Sequence, residues 1–120
     1  MIKQALALAA FAMLAPTAAR AFEAPPACSV TITYASVAGI VDAALAQKID
    51  RQFRHDPRIV KRQRHPGHRG GYEICLTVQP PNKARTVFRS IRALMPAYST
   101  KAPTTLSFAG GRYVTKLKAK

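Results

Sequence analysis

The sequence predicts an α+β fold of the ferredoxin-like βαββαβ kind. Its core would be a four-stranded, mainly antiparallel sheet with two helices on one face, and a C-terminal extra hairpin is a further option. Three observations lead there. Segments around residues 30 and 75 alternate apolar and polar residues with a period of two. Segments around residues 45 and 88 repeat apolar residues every three or four positions. Prolines and glycines punctuate the chain between them. At 120 residues the chain is sized for one hydrophobic core.

Cys28 to Tyr34 alternates apolar with hydroxyl residues and is rich in β-branched side chains, the pattern of a half-buried strand. Ser36 is placed to cap a helix whose stripe is Val37, Ile40, Val41, Ala44, Leu45, Ile49 and Phe53, and Pro57 ends it. Arg58 to His65 reads as a short strand with only Ile59 and Val60 apolar, and Pro66 to Gly71 as a turn. The clearest strand follows: Tyr72, Ile74, Leu76 and Val78 alternate with Glu73, Cys75, Thr77 and Gln79. Pro81 or Asn82 opens a second helix with an apolar face of Ala84, Val87, Phe88, Ile91, Leu94 and Met95, closed by Pro96. Thr104 to Lys120 is strand-like but interrupted by Gly110-Gly111, so it is either one kinked strand or a hairpin with a glycine turn. This order closes most simply as a split βαβ sheet.

The N-terminal segment reads as an export signal. Lys3 supplies the positive end, Ala5 to Ala15 an eleven-residue apolar run, and Ala19-Arg20-Ala21 a small-x-small cleavage site. The run is well short of the roughly 20 apolar residues that cross a membrane. The expectation is a signal peptide over 1–21 and one small domain over 22–120, secreted or periplasmic, without a transmembrane segment once processed. Outside the cytoplasm Cys28 and Cys75, the two cysteines, should form a disulfide. Cys28 shares parity with inward-facing Val30 and Ile32, whereas Cys75 points to the open face. The bond therefore requires Cys28 to sit before the regular strand or at a bulge.

Charge is the most informative functional feature. Nineteen Lys and Arg stand against five Asp and Glu, a formal charge of +14. That exceeds the magnitude of roughly 2–8 that keeps a small domain soluble. Eight cations, Lys48, Arg51, Arg54, Arg58, Lys61, Arg62, Arg64 and Arg69, crowd into 22 positions with two carboxylates. Arg85, Arg89 and Arg92 form a second stripe at helical spacing, and Arg112, Lys116, Lys118 and Lys120 a third group in the tail. Such surfaces suit an anionic polymer (envelope phosphate, cell wall or nucleic acid) or an acidic protein, because phosphates and carboxylates offset clustered positive charge. The expected open sheet face shows Ser29, Thr31, Thr33, Glu73 and Thr77 without a stacking aromatic pair, which disfavours a specific RNA platform.

Other readings draw on fewer residues. An edge strand could add to a partner's sheet, as in a protease-inhibitor-like interaction module. His55, His65 and His68 with neighbouring arginines could serve a small secreted ribonuclease. The scarcity of carboxylates excludes most paired-carboxylate and calcium chemistry. His65-Pro66-Gly67-His68 lies between Arg64 and Arg69, which opposes metal binding, and no cofactor motif occurs. The expectation is a binding protein, not an enzyme, with no metal or cofactor.

The element order is similar to that of SPOR-type peptidoglycan-binding domains, acylphosphatases and certain protease pro-segments. Tyr34-Ala35-Ser36 stands where the first would carry a glycine-aromatic turn, and the arginine-bearing glycine loop of the second is missing. The resemblance thus extends to fold alone.

Overall fold

A computed structural model describes residues 28–118. The export signal and its cleavage point lie outside them. The elements are β1 (Val30–Tyr34), α1 (Ala43–Phe53), β2 (Ile59–Pro66), β3 (Tyr72–Val78), α2 (Ala84–Arg92), β4 (Tyr98–Ser99), β5 (Thr104–Phe108), β6 (Gly111–Val114) and β7 (Lys116–Leu117). The fold is α+β, with a five-stranded antiparallel sheet in the order β2-β3-β1-β5-β6 and a separate parallel pair, β4-β7. The sheet has five strands, not the expected four, because the tail folds back as a hairpin. Phe108 pairs with Gly111, so the turn is Ala109-Gly110 and Gly111 already belongs to β6. A Cβ on Gly110 would lie 3.0 Å from the Phe108 ring, and one on Gly111 3.1 Å, which explains two glycines here.

Strand alternation divides the sheet as expected. Val30, Ile32 and Tyr34 of β1, with Leu76 and Val78 of β3 and Leu106 of β5, are buried beneath the helices. Leu45, Ile49 and Phe53 of α1 and Val87, Phe88 and Ile91 of α2 complete one cluster. The opposite face carries Thr31, Thr33, Glu73, Thr105 and Ser107, all in register across three strands.

The first helix starts later than the spacing suggests. Val37 and Ile40 exchange backbone hydrogen bonds of 2.9 and 3.0 Å around Ala38 and Gly39, both with positive φ. This tight turn exposes Val37 and Ile40 rather than burying them. Asp42, not Ser36, caps the helix: its Oδ1 accepts the Leu45 N–H at 3.2 Å, while Oδ2 accepts the Ser99 hydroxyl at 2.8 Å. One buried carboxylate therefore ties α1 to β4. Asn82 and Pro81 fall in a 3₁₀ turn, Pro81–Lys83, that leads into α2.

Cys28 and Cys75 are bonded, with Cα atoms 5.3 Å apart. The parity conflict disappears because Cys28 precedes β1. Between them Ser29 bends the chain, donating its N–H to Leu76 O and accepting the Val78 N–H on its hydroxyl, both at 3.0 Å. No helix among the described residues is long and apolar enough to cross a membrane.

The β2–β3 hairpin depends on Gly71. A Cβ there would lie 2.6 Å from the Tyr34 carbonyl, and the Gly71 backbone both accepts from Gly67 and donates to His68, each at 2.9 Å. Gly71→Ala should lower stability by about 1–3 kcal/mol, because backbone must move to admit the methyl. A urea midpoint equal to wild type would contradict this. Replacing both cysteines with Ser opens a loop of 47 residues. It should cost about 4 kcal/mol in the same assay.

Candidate anion-binding site

The register of β2 decides which cations meet. Pro66 pairs with Tyr72, Arg64 with Ile74 and Arg62 with Leu76, so Arg62 and Arg64 occupy the helix side of the edge strand. Lys61, Gln63 and His65 pair with Thr77, Cys75 and Glu73 and face the open side. A register shift between Ile59 and Lys61 returns Ile59 to the helix side, opposite Val78, and leaves Val60 58% exposed. Beneath α1, two positions that a covered sheet would fill with apolar side chains thus hold arginine.

The consequence is a groove of about 530 Å³ between α1 and β2–β3. Ile32, Ile74 and Leu76 form its floor and Tyr34 and Tyr72 one end, with ring centroids 4.9 Å apart. Ala46, Ile49 and Phe53 form the α1 wall. Arg51 of α1, Arg54 just past its end, and Arg62 and Arg64 of β2 line it as cations, against one carboxylate, Asp50. Burial, reinforced by neighbouring Tyr72 and Asp50, pushes the Tyr34 phenol far above its usual range, so it stays neutral.

Asp50 accepts from Arg54 and Arg62, and Arg62 also reaches the Phe53 carbonyl at 3.4 Å. The hydrogen bond from Arg54, followed by the charge of Arg62, outweighs desolvation and holds the Asp50 carboxyl below its usual range. The Arg64 guanidinium lies 3.8 Å above the Tyr72 ring centroid and has no carboxylate partner among the described residues. Arg58 is occupied elsewhere: it closes on Asp56 through bonds of 2.6 and 3.0 Å from its guanidinium. Asp56 is likewise lowered, chiefly by that side-chain bond.

The remaining expected cations separate. Lys48 is exposed on α1 but does not line the groove, and Lys61 faces the open side of the sheet. Arg69 sits in the turn after β2 with φ 52°, beside a second hollow of about 310 Å³ that also contains His65, His68 and Glu73. His55 follows α1 and does not line that hollow. Arg85, Arg89 and Arg92 belong to α2, where Arg85 lies 5.7 Å from the Phe108 centroid and Arg92 4.8 Å from that of Tyr113. These rings belong to β5 and β6, across the sheet from β2. The arginines of the groove and those of α2 therefore stand toward opposite edges of the sheet, while Lys48, Lys61 and Arg69 join neither group.

Sequence reading passed over the groove's apolar half, since Ile32, Tyr34, Ile74 and Leu76 look like ordinary core. The available signal was the inner-face content of β2, which needed the hairpin register to interpret. Among the described residues, no group of three His, Cys, Asp or Glu comes together as a metal site. No known protein family, curated protein or solved structure matches the chain.

The ion pairs imply an acid limb in stability. Asp50 and Asp56 have lowered folded pKa values, so their contribution is complete above the unfolded value of about 3.9 and is lost as pH falls through the folded values. Asp50 is well exposed, which limits each pair to about 1 kcal/mol or less. Urea midpoints at pH 5 and pH 3 should fall more for wild type than for Asp50→Asn/Asp56→Asn; equal falls would contradict it.

Proposed function

We propose that this chain is an exported binding domain that engages anionic groups of an envelope polymer or an acidic protein through its arginine-lined groove. The observation that carries the reading is the meeting of Arg51, Arg54, Arg62 and Arg64 around one carboxylate. Arginine suits the task because its planar fork gives two parallel hydrogen bonds to a phosphate or carboxylate and stays charged at any working pH. Arg64 is poised for it, held over the Tyr72 ring with its donors not committed to an acid. Lys48 and Arg69 would extend the field around the groove, and Arg85, Arg89 and Arg92 would attract polyanions only weakly and separately.

We read the architecture as ferredoxin-like with an added edge hairpin, since β2-β3-β1-β5 is the order a split βαβ unit produces. Export is supported by the Cys28–Cys75 bond, which suits an oxidising compartment. A second reading, pairing of a partner strand along β2, is supported by the exposure of every residue from Val60 to Pro66. Proline at Lys61 would abolish that mode and spare electrostatic binding.

Binding to inorganic polyphosphate should weaken steeply as salt rises, with a linear dependence of log affinity on log salt. Replacing Arg51, Arg62 and Arg64 with Ala should remove most binding and reduce that slope by about two to three. Replacing Arg85, Arg89 and Arg92 should leave most of it. Salt-insensitive binding, or equal losses from both triples, would overturn the groove as the site.

A further inference from the structure

Charge explains only the margin of the groove. An anion held by arginines alone needs no apolar surface beside it, yet Ile74, Tyr72 and Ala46 stay partly open to this groove, above the buried Ile32 and Leu76. The space arises because Arg62 and Arg64 stand where inward-facing apolar side chains would close the layer beneath α1. At about 530 Å³ it falls within the roughly 300–1,000 Å³ of small-molecule sites, which are mostly apolar with a few placed polar groups. The only carboxylate lining it already accepts from two arginines, and Tyr34 remains a neutral hydroxyl.

We infer that the groove holds a single-chain anionic amphiphile: an alkyl chain lying between α1 and β2–β3, with its phosphate or carboxylate head on the arginines at the margin. This rests on the anion-binding reading above and names the ligand class of that site. A polymer's anionic groups need only the cationic edge, whereas the partly open apolar residues beside it are the complement of an acyl chain borne by such an anion. Arg64 and Arg51 supply donors that Asp50 does not occupy. The chain would cover the partly exposed Ile74, Tyr72 and Ala46, and that gain is absent for a tailless phosphate.

Calorimetric titration of the disulfide-bonded protein with ethyl, octyl and dodecyl phosphate, below their micelle concentrations, tests this directly. Inorganic polyphosphate and neutral dodecyl maltoside serve as comparisons. Affinity should rise roughly three- to fourfold per added methylene until the groove is full. Dodecyl maltoside should bind at least tenfold more weakly than dodecyl phosphate, about the loss of one charge-assisted hydrogen bond. Ala46→Phe should abolish the chain-length dependence and spare polyphosphate binding. Gln47→Trp, at an exposed helix position lining the same groove, does the same work if the first variant fails to fold.

Polyphosphate binding with no dependence on chain length would overturn this inference and leave the anion-binding reading standing. Absence of binding by every phosphate would overturn both. Chain-length dependence that survives both variants, or equal affinity for the maltoside, would place the alkyl chain elsewhere and also overturn it.

Discussion

The pairing of β2 with β3 is the constraint from which the site follows. Side chains of a strand alternate strictly, so one residue of slip would exchange Arg62 and Arg64 for Lys61, Gln63 and His65 beneath α1. The turn between the strands prevents that slip. Gly71 packs so closely against the Tyr34 carbonyl that a larger residue is excluded, and its backbone closes the turn onto Gly67 and His68. A chain segment with no charge of its own thereby determines where two arginines point.

The same placement makes the edge strand an unusual part of the core layer. From β2 only Ile59 packs against the core cluster, and the register shift at Val60 is what brings it to the helix side. The rest of the fold compensates through β1, β3 and β5, where Val30, Ile32, Leu76 and Leu106 are almost fully buried, and through the Cys28–Cys75 bond. The few carboxylates are similarly committed. Asp42 caps α1 and anchors β4, Asp50 and Asp56 hold arginines, and Glu73 accepts the Thr33 hydroxyl at 3.4 Å. The positive charge left over is thus a consequence of having almost no acids to spare.

Much of the fold was legible in the sequence because its strongest elements obey single rules. β3 alternates apart from the disulfide-bonded Cys75, α2 keeps its apolar residues at helical spacing, and the two cysteines had one pairing open to them. The failures have local causes. Val37 and Ile40 match a helical stripe, but Ala38-Gly39 makes a turn that reverses the chain before Asp42 can cap anything. The tail fitted a strand or a hairpin equally, and the Phe108 ring packed against both glycines decides it. At the site, the cations were visible but their partition was not. Alternation in Lys61-Arg62-Gln63-Arg64 has no apolar member to reveal its inner face, so the grouping of Arg62 and Arg64 with Arg51 and Arg54 depended on a partner strand.

Direct observation of the arginine side chains tests the central claim best. In a nitrogen-15 NMR titration with inorganic phosphate, the Nε–Hε signals of Arg51, Arg62 and Arg64 should shift together and saturate at one concentration, while those of Arg85, Arg89 and Arg92 stay nearly still. Uniform, unsaturating shifts across all arginines would mean that phosphate meets only a diffuse positive field, and that the groove is not a site.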